Sequence, residues 1–276
     1  MKEIKRYLES RIGTYAFFFE DLESGFTFGY NENVQMTSAG CMKLPISVSV
    51  IKYVEDGKGS FLDKIKIEEE DKVYGTGILH EFDNREYTIF ELLVAMLIQS
   101  DNTAANKLID IVGMDNINED IIAQGLKNTK LNRETSDERA ASSGIENITS
   151  ALDLAKIWRH LYNASFLNEK DSTMLMDILQ RQQMKNKLAL YIPDDLKYEI
   201  SSKTGDKTSV ENDTALIHVQ KGSFTFTVLS MGIPNSVYGT VTLAKCGKMM
   251  WDSVMNNFWV KIITPRKLGV IFHTNI

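Results

Sequence analysis

Strand-forming segments lie at both ends of this chain, and a long stretch with helical spacing separates them. Residues 15–19 and 26–30 are apolar runs on either side of a turn-rich segment, which predicts a β-hairpin. Three more strands are predicted near the other end, over residues 198–202, 214–219 and 224–231. Because strands must pair to satisfy their backbone groups, we expect one antiparallel sheet assembled from both chain ends.

The middle of the chain has apolar residues at the spacing of amphipathic helices and few strand signals. Helices are predicted over residues 4–12, 89–98, 103–112, 150–162, 171–182 and 240–258. The expected fold class is α/β, in the α+β sense, with helices packed on the sheet and an inserted all-helical lobe. We assign residues 1–36 and 190–276 to the sheet lobe and residues 37–189 to the helical lobe. A ligand cleft is expected between the two lobes.

Charge and hydropathy narrow the classes of partner. A formal net charge of −6 disfavours a nucleic-acid surface, which needs clustered lysine and arginine. No stretch of about 18 apolar residues is present, so no membrane span is expected. The first ten residues lack the apolar core of a secretory signal, which leaves two explanations open: an extracytoplasmic protein whose leader has been removed, or a leaderless cytoplasmic protein. We expect a monomer that binds a small molecule.

Cysteine and histidine are too sparse for a disulfide framework or a metal centre. Cys41 and Cys246 match no zinc spacing and are expected to be buried free thiols. The four histidines form no i, i+4 pair, so neither a catalytic metal nor another cofactor is expected.

Three short motifs carry the chemical information, and two of them also have a common structural explanation. Residues 100–102 (Ser-Asp-Asn) lie between two predicted helices, where such residues often cap a helix N-terminus. Residues 203–205 (Lys-Thr-Gly) end a predicted strand, where glycine often begins a turn. Lys43 is harder to explain structurally. It lies near the start of a strongly apolar predicted helix, where burying an unpaired ammonium group would cost free energy.

The order, separation and setting of these motifs match the S-x-x-K, S-D-N and K-T-G signature of class A β-lactamases and penicillin-binding proteins. The chain resembles this serine hydrolase family from about residue 14 to residue 259. The resemblance includes the Lys-Leu-Pro-Ile sequence that starts at Lys43 and the Gly-Thr-Gly-Ile-Leu sequence of residues 75–79. It implies a β-lactamase-like fold with a cleft for a β-lactam or a peptide-like carboxylate.

The resemblance also implies a role for each matching residue. Lys43 would take the proton of a nucleophile three residues earlier, because positions i and i+3 share a helical face. Ser100 would relay a proton to the leaving amide nitrogen, and the backbone N–H groups of residue 40 and Asp206 would form the oxyanion hole. Asn102 would hold the side-chain amide of the substrate. The substrate carboxylate would be bound by Lys203, Thr204 and Gly205. Two ammonium groups suit an anionic substrate, and one can lose its proton if nearby positive charge depresses its pKa.

Position 40 departs from the family, because glycine stands where the signature has its nucleophilic serine. Ser38 lies five residues before Lys43 and Cys41 lies two before it, so neither shares the face of the lysine. We expect this chain to be catalytically impaired while its pocket stays intact. An engineered serine-to-glycine change that traps intact substrate is preferred over a natural pseudoenzyme, because the other polar groups of the site are retained.

A second departure concerns the base that would hydrolyse the acyl-enzyme. The resemblance places this glutamate two residues after Arg133, and that position is Thr135. Glu134 and Asp137 are close but out of register, and Glu134 is kept as a candidate catalytic residue. Without a base to activate water, the acyl-enzyme would persist, which is penicillin-binding behaviour.

The residues are compatible with three functions. The first is a class A-like serine β-lactamase, which hydrolyses the β-lactam amide through an acyl-enzyme when serine occupies position 40. The second is a D-alanyl-D-alanine peptidase, or another penicillin-binding amidase or esterase with the same machinery. The third is a non-catalytic pseudoenzyme that holds a carboxylate ligand between Ser100, Asn102, Lys203 and Thr204.

Overall fold

The computed structural model describes residues 1–257 of the 276-residue chain. Its helices are α1 (Lys2–Glu9), α2 (Lys43–Glu55), α3 (Ile89–Ile98), α4 (Asn102–Val112), α5 (Met114–Ala123), α6 (Glu138–Ser142), α7 (Ala151–Tyr162), α8 (Glu169–Gln180) and α9 (Ser236–Asn257). Its strands are β1 (Thr14–Asp21), β2 (Thr27–Tyr30), β3 (Met36–Thr37), β4 (Lys64–Ile67), β5 (Arg85–Thr88), β6 (Ile148–Thr149), β7 (Ile200–Lys207), β8 (Val210–Val219) and β9 (Gly222–Met231). The predicted sheet lobe, the predicted final helix and the resemblance all extend past residue 257, and those parts lie outside the described residues. No helix within residues 1–257 is both long and apolar enough to cross a membrane.

Five strands form one antiparallel sheet in the order β2-β1-β9-β8-β7. The N-terminal hairpin supplies β1 and β2, and the C-terminal part of the chain supplies the other three strands. Strand β1 pairs with β9 along its full length, from Thr14 opposite Met231 to Asp21 opposite Phe224. The prediction of a mixed α/β fold with one sheet built from both chain ends is therefore confirmed. The inserted part is mainly helical but not all-helical as predicted, because β4 pairs with β5 and β6 pairs with β3 there.

Strand β1 is apolar from residue 15 to residue 19 because both faces of the sheet are covered there. Successive side chains of a strand point to opposite faces. Ala16 and Phe18 pack in the core formed with the helices of the middle of the chain, whereas Phe17 and Phe19 pack in a second core with α1 and α9. Full burial of one such phenylalanine contributes about 1.5–3 kcal/mol. The boundaries of the two lobes stay a prediction, but each face of the sheet has its own core.

Trp158 links the helical part of the chain to the sheet. It lies on α7 and is fully buried, and its indole N–H donates a hydrogen bond of 2.7 Å to Oγ1 of Thr214 on β8. The Thr214 hydroxyl also pairs with Oγ1 of Thr227 on β9 at 2.6 Å. A buried indole N–H needs such a partner, so this contact sets how α7 lies across the strands.

Strand β7 is longer than its sequence predicts. The apolar pattern predicted a strand that ends at residue 202, with a turn at Gly205, yet pairing with β8 continues to Lys207 opposite Val210. The polar Lys-Thr-Gly residues are buried there, because β7 lies against a 3₁₀ turn at Ala39–Met42. The motif therefore lies inside the edge strand of the sheet, where its side chains face other parts of the molecule.

Candidate active site

The three motifs meet where β7 passes between the 3₁₀ turn and the junction of α3 and α4. The turn carries Gly40 and leads directly into α2, whose first residue is Lys43. In a 3₁₀ helix residues three apart lie one above the other, so the backbone of residue 40 and the Lys43 side chain share one side. Ala39 and Ser100 both have positive φ, at 45° and 55°. Such a conformation is rare for a residue other than glycine and persists only where the surrounding structure holds it.

Ser100 lies between two buried lysines. Lys43 Nζ donates to Ser100 Oγ at 3.2 Å, and Lys203 Nζ donates to the same atom at 3.0 Å. Lys43 also donates to the main-chain oxygen of Ser100 and, at 2.7 Å, to Oδ1 of Asn102. Lys203 donates to the main-chain oxygen of Thr204 at 2.9 Å. Because the two ammonium groups use both lone pairs of the Ser100 hydroxyl, its O–H is the group that remains for a ligand.

Burial shifts the pKa of both lysines downward, and in each case the positive charge of another lysine acts in the same direction. Burial, and then the positive charge of Lys203, hold the pKa of Lys43 well below its ordinary value, although the Asp101 carboxylate acts in the opposite direction. The pKa of Lys203 is lowered to about 8, mainly by burial and also by the charge of Lys187, while Cys41 and Asp213 oppose the shift. A lowered pKa favours the neutral amine, which is the form of Lys43 that could accept a proton as a general base.

The Ser-Asp-Asn motif has a structural and a chemical part. Asp101, its middle residue, is the N-cap of α4 and accepts hydrogen bonds from the backbone N–H groups of Ile78, Leu79 and Ala104, at 2.6, 2.8 and 2.9 Å. Helix capping therefore explains the aspartate, whereas Ser100 and Asn102 on either side face Lys43. Asn102 also donates from Nδ2 to Ser136 Oγ at 3.0 Å. Its predicted role toward a substrate amide stays a prediction.

A cavity of about 330 Å³ opens in front of these residues. Its lining includes the motif residues Gly40, Lys43, Ser100, Asn102 and Thr204, together with Arg133, Thr135, Asp137, Asp206 and Lys207. Lys203 does not line the cavity, because its ammonium group lies behind the Ser100 hydroxyl. A carboxylate in the cavity can contact Thr204 directly. It would be attracted by the positive charge of Lys203 across the Ser100 hydroxyl, without direct contact.

Strand β7 lies directly against the turn that carries Gly40. A Cβ at residue 40 would be 2.8 Å from the main-chain oxygen of Thr204 and 3.3 Å from Ser100 Oγ. A Cβ at Gly205 would be 2.7 Å from the nitrogen of Cys41 and from the oxygen of Ser38. Both glycines therefore allow a backbone approach that larger residues obstruct.

Neither neighbour of Gly40 offers a replacement nucleophile. The Ser38 hydroxyl donates to the main-chain oxygen of Asn147 at 3.0 Å, and the side chain is fully buried. The thiol of Cys41 points to the main-chain oxygen of Lys203 at 3.4 Å, and burial raises its pKa to about 12. Neither residue lines the cavity. This placement agrees with the sequence-based spacing argument against both.

The structure does not bring Glu134 into the cavity. Its side chain is exposed, and burial of its remaining part together with the carboxylates of Asp110 and Asp137 raises its pKa. Thr135 occupies the cavity wall instead, held by Asn106, whose Oδ1 accepts from the Thr135 nitrogen at 2.9 Å and from its hydroxyl at 2.7 Å. The candidate role of Glu134 therefore has no support from its position.

The sequence did not predict two ion-paired clusters at the cavity: Arg133 and Lys207 with Glu146, and Asp206 with Lys187. Arg133 and Lys207 line the cavity, and both contact the carboxylate of Glu146. Asp206, whose backbone N–H was assigned to the oxyanion hole, has its carboxylate paired with the buried Lys187. The position of Lys207, four residues after Lys203 on one strand, was the only sequence signal that could have indicated these groups, because alternate strand residues share a face.

A family model described as the β-lactamase enzyme family matches residues 1–254 of the chain. This chain belongs to the β-lactamase enzyme family. Its structure is similar to a β-lactamase from Sphaerobacter thermophilus, with a TM-score of 0.86, 26% identity, and coverage of 92% of this chain and 97% of the other. A structure of PBP-A, solved as an acyl-enzyme complex with penicillin G, has the same fold, with a TM-score of 0.83, 23% identity, and coverage of 91% and 94%.

Sequence comparison with curated family members is more partial. A β-lactamase of Streptomyces albus G is 24% identical over 212 residues, which are 73% of this chain and 66% of that protein. The matches to the curated relatives span between about one third and two thirds of their lengths. Family membership and fold are thus established over most of the chain, and the activity has to be argued from the site.

Proposed function

We propose that this chain binds carboxylate-bearing acyl amides such as penicillins in its cavity without being acylated, and that it is a class A acyl-transfer site without its nucleophile. The observation that carries the proposal is the position of Ser100, whose hydroxyl lies within 3.2 Å of two buried lysines, beside the position where glycine replaces serine. A site arranged for proton transfer beside an anion-binding wall is what acylation by a β-lactam requires.

With serine at position 40, the arrangement supports acylation. Neutral Lys43 would accept the proton of the serine hydroxyl as its oxygen attacks the β-lactam carbonyl. The backbone N–H groups of residue 40 and Asp206 would donate to the oxygen that becomes negative. The C–N bond would then break, Ser100 would pass a proton to the leaving nitrogen, and the acyl group would remain on the serine as an ester.

The two carboxylates among the described residues that line the cavity both have partners other than a water beside this ester. Among the described lining residues the carboxylates are Asp137 and Asp206. Asp137 accepts the backbone N–H of Ala140 at 3.0 Å as the N-cap of α6, and Asp206 is paired with Lys187. Thr135 has no acidic group. This supports a long-lived acyl-enzyme for a serine-containing parent, which favours penicillin-binding behaviour over rapid β-lactam hydrolysis.

The hypothesis of a non-catalytic receptor also has an observation in its favour. The main-chain oxygen of Thr204 lies where a side chain at residue 40 would need space, and so strand β7 fits glycine at this position. Whether the glycine is engineered or natural stays open, and the proposal for this chain is the same in both cases.

Calorimetric titration with benzylpenicillin, together with intact-mass measurement after incubation, tests the proposal. We expect saturable binding and no increase in mass. Thr204→Val keeps the shape of a side chain that lines the cavity but removes its hydroxyl, which contacts Gln182 and Met184 in the free protein, and it should weaken binding. A mass adduct on the native chain, or no binding at all, would contradict the proposal.

A further inference from the structure

The cavity has a cluster of charged side chains that the roles assigned above do not use. Lys207 lies at the end of β7, and both Lys207 and Arg133 line the cavity. Arg133 Nη2 lies 2.9 Å from Oε2 of Glu146, and the Lys207 ammonium group contacts Oε1 of the same carboxylate. Of the other charged groups that line the cavity here, Asp206 is paired with Lys187 and Asp137 caps α6. Lys207 and Arg133 share the single carboxylate of Glu146, so this three-residue cluster has one more positive than negative charge.

Glu146 remains a carboxylate at neutral pH in this cluster. Burial acts to raise its pKa, but hydrogen bonds from Lys207 and Arg133 hold the pKa below its ordinary value. The pair between Lys207 and Glu146 joins residues 61 positions apart in the chain. It links the β7–β8 hairpin to the loop before β6, across one edge of the cavity.

Lys207 is the cation of this cluster that can change its partner at little cost. Its side chain is 36% exposed, whereas that of Arg133 is 11% exposed. The Arg133 guanidinium also donates hydrogen bonds to the main-chain oxygens of Ile145 and Glu134, at 3.0 and 2.9 Å. A partly exposed ion pair contributes little to stability. Glu146 would still be paired with Arg133 after Lys207 left it, so no buried charge would be left without a partner.

The distance along β7 suits a ligand with two anionic ends. Lys203 and Lys207 are four residues apart on one strand, which places their Cα atoms about 13 Å apart on the same face. One end of the cavity therefore lies near Thr204 and the Lys203 charge behind Ser100, and the other end lies near Lys207. A small acyl amide with one carboxylate at the first end presents its acyl side chain to the second.

We propose that Lys207 selects ligands that carry a second carboxylate on their acyl side chain, by exchanging the Glu146 carboxylate for that of the ligand. This inference rests on the proposed function, because it assumes that the first carboxylate of the ligand lies at the Thr204 end. It adds a determinant of ligand choice that lies outside the three motifs.

Two penicillins that differ only by one carboxylate test the inference. Benzylpenicillin and its α-carboxylated analogue carbenicillin are titrated calorimetrically into the native chain. We expect carbenicillin to bind about threefold to fivefold more tightly, as a partly exposed ion pair allows. Long-range electrostatics cannot produce this preference, because the net charge of −6 repels the carbenicillin dianion more strongly than the benzylpenicillin monoanion.

Three variants assign the preference to Lys207. Lys207→Met should remove it and Lys207→Arg should keep it. Lys248→Met is the matched control, because Lys248 is an exposed lysine on α9 that pairs with Asp252 and does not line the cavity, and this variant should keep the preference.

The outcomes separate this inference from the proposed function. If both penicillins bind with equal affinity, or if Lys207→Met leaves the preference unchanged, the inference is overturned while the proposed function stands. If neither penicillin binds, the proposed function fails and the inference fails with it.

Discussion

Restoring serine at position 40 tests the acyl-transfer site and its packing together. A Cβ at this residue would lie 2.8 Å from the Thr204 oxygen, where ordinary contact begins at 3.4 Å, and that oxygen belongs to the backbone of β7. The strand therefore has to move by about half an ångström, and overpacking of this kind costs about 1–3 kcal/mol. We expect Gly40→Ser to lower the free energy of unfolding by that amount.

Gly40→Ala is the matched control, because it adds the same Cβ without a hydroxyl group. Both variants should lose the same stability within about 0.5 kcal/mol, measured by denaturant unfolding. Only Gly40→Ser should gain mass with benzylpenicillin, up to one acyl group per chain, because only this variant has a nucleophile that can form the ester. Loss of a serine nucleophile costs on the order of 10⁶-fold in turnover. Because Asp137 and Asp206, the carboxylates among the described lining residues, have other partners, a nitrocefin assay should show one burst followed by slow turnover.

Three results would refute this reasoning. A folded Gly40→Ser protein that gains no acyl group would show that Lys43 and Ser100 do not form an acylation site. Fast steady turnover without a burst would show that a base reaches the ester despite the position of Thr135. Unchanged stability in both variants would show that β7 does not press on residue 40 as closely as described.

Three other expectations concern single residues. Glu134→Gln, made together with Gly40→Ser, should leave the lifetime of the acyl-enzyme unchanged, because the Glu134 side chain lies outside the cavity; a severalfold longer lifetime in a mass time course would contradict this. Burial raises the pKa of Asp213 from 3.8 to about 7, so the folded chain holds a proton that the unfolded chain releases, and stability falls as pH rises from about 4 to 7. Asp213→Asn should remove that fall in denaturant unfolding curves taken across this range, and an unchanged pH profile would contradict the assignment. Trp158→Phe should lower the free energy of unfolding by about 1–3 kcal/mol, because it removes the donor to Thr214 inside the core, and a loss below about 0.5 kcal/mol would contradict that role.

Sequence alone was sufficient for the order of the main elements and for the family. Helix α3 was predicted with its observed bounds and β9 nearly so, because strong apolar periodicity over ten residues is a local property of the chain. Helix α5 was not predicted. The polar motifs also caused β7 to be predicted too short, since polar side chains inside a strand resemble its end when the surface that buries them is far away in sequence.

The arrangement of the site depended on contacts between distant residues, and these only the tertiary structure decided. The motifs identified Lys43, Ser100 and Lys203, but the position of Lys203 behind the Ser100 hydroxyl follows from the packing of β7 against the turn at residues 39–42. The path of the loop after Arg133 directs Thr135 inward and Glu134 outward, although the two are adjacent in sequence. Residue types and spacing determine which chemistry a chain can contain, because they set local conformation and available groups. Which of those groups reach the ligand is decided by packing between segments about a hundred residues apart, and no local pattern encodes that distance.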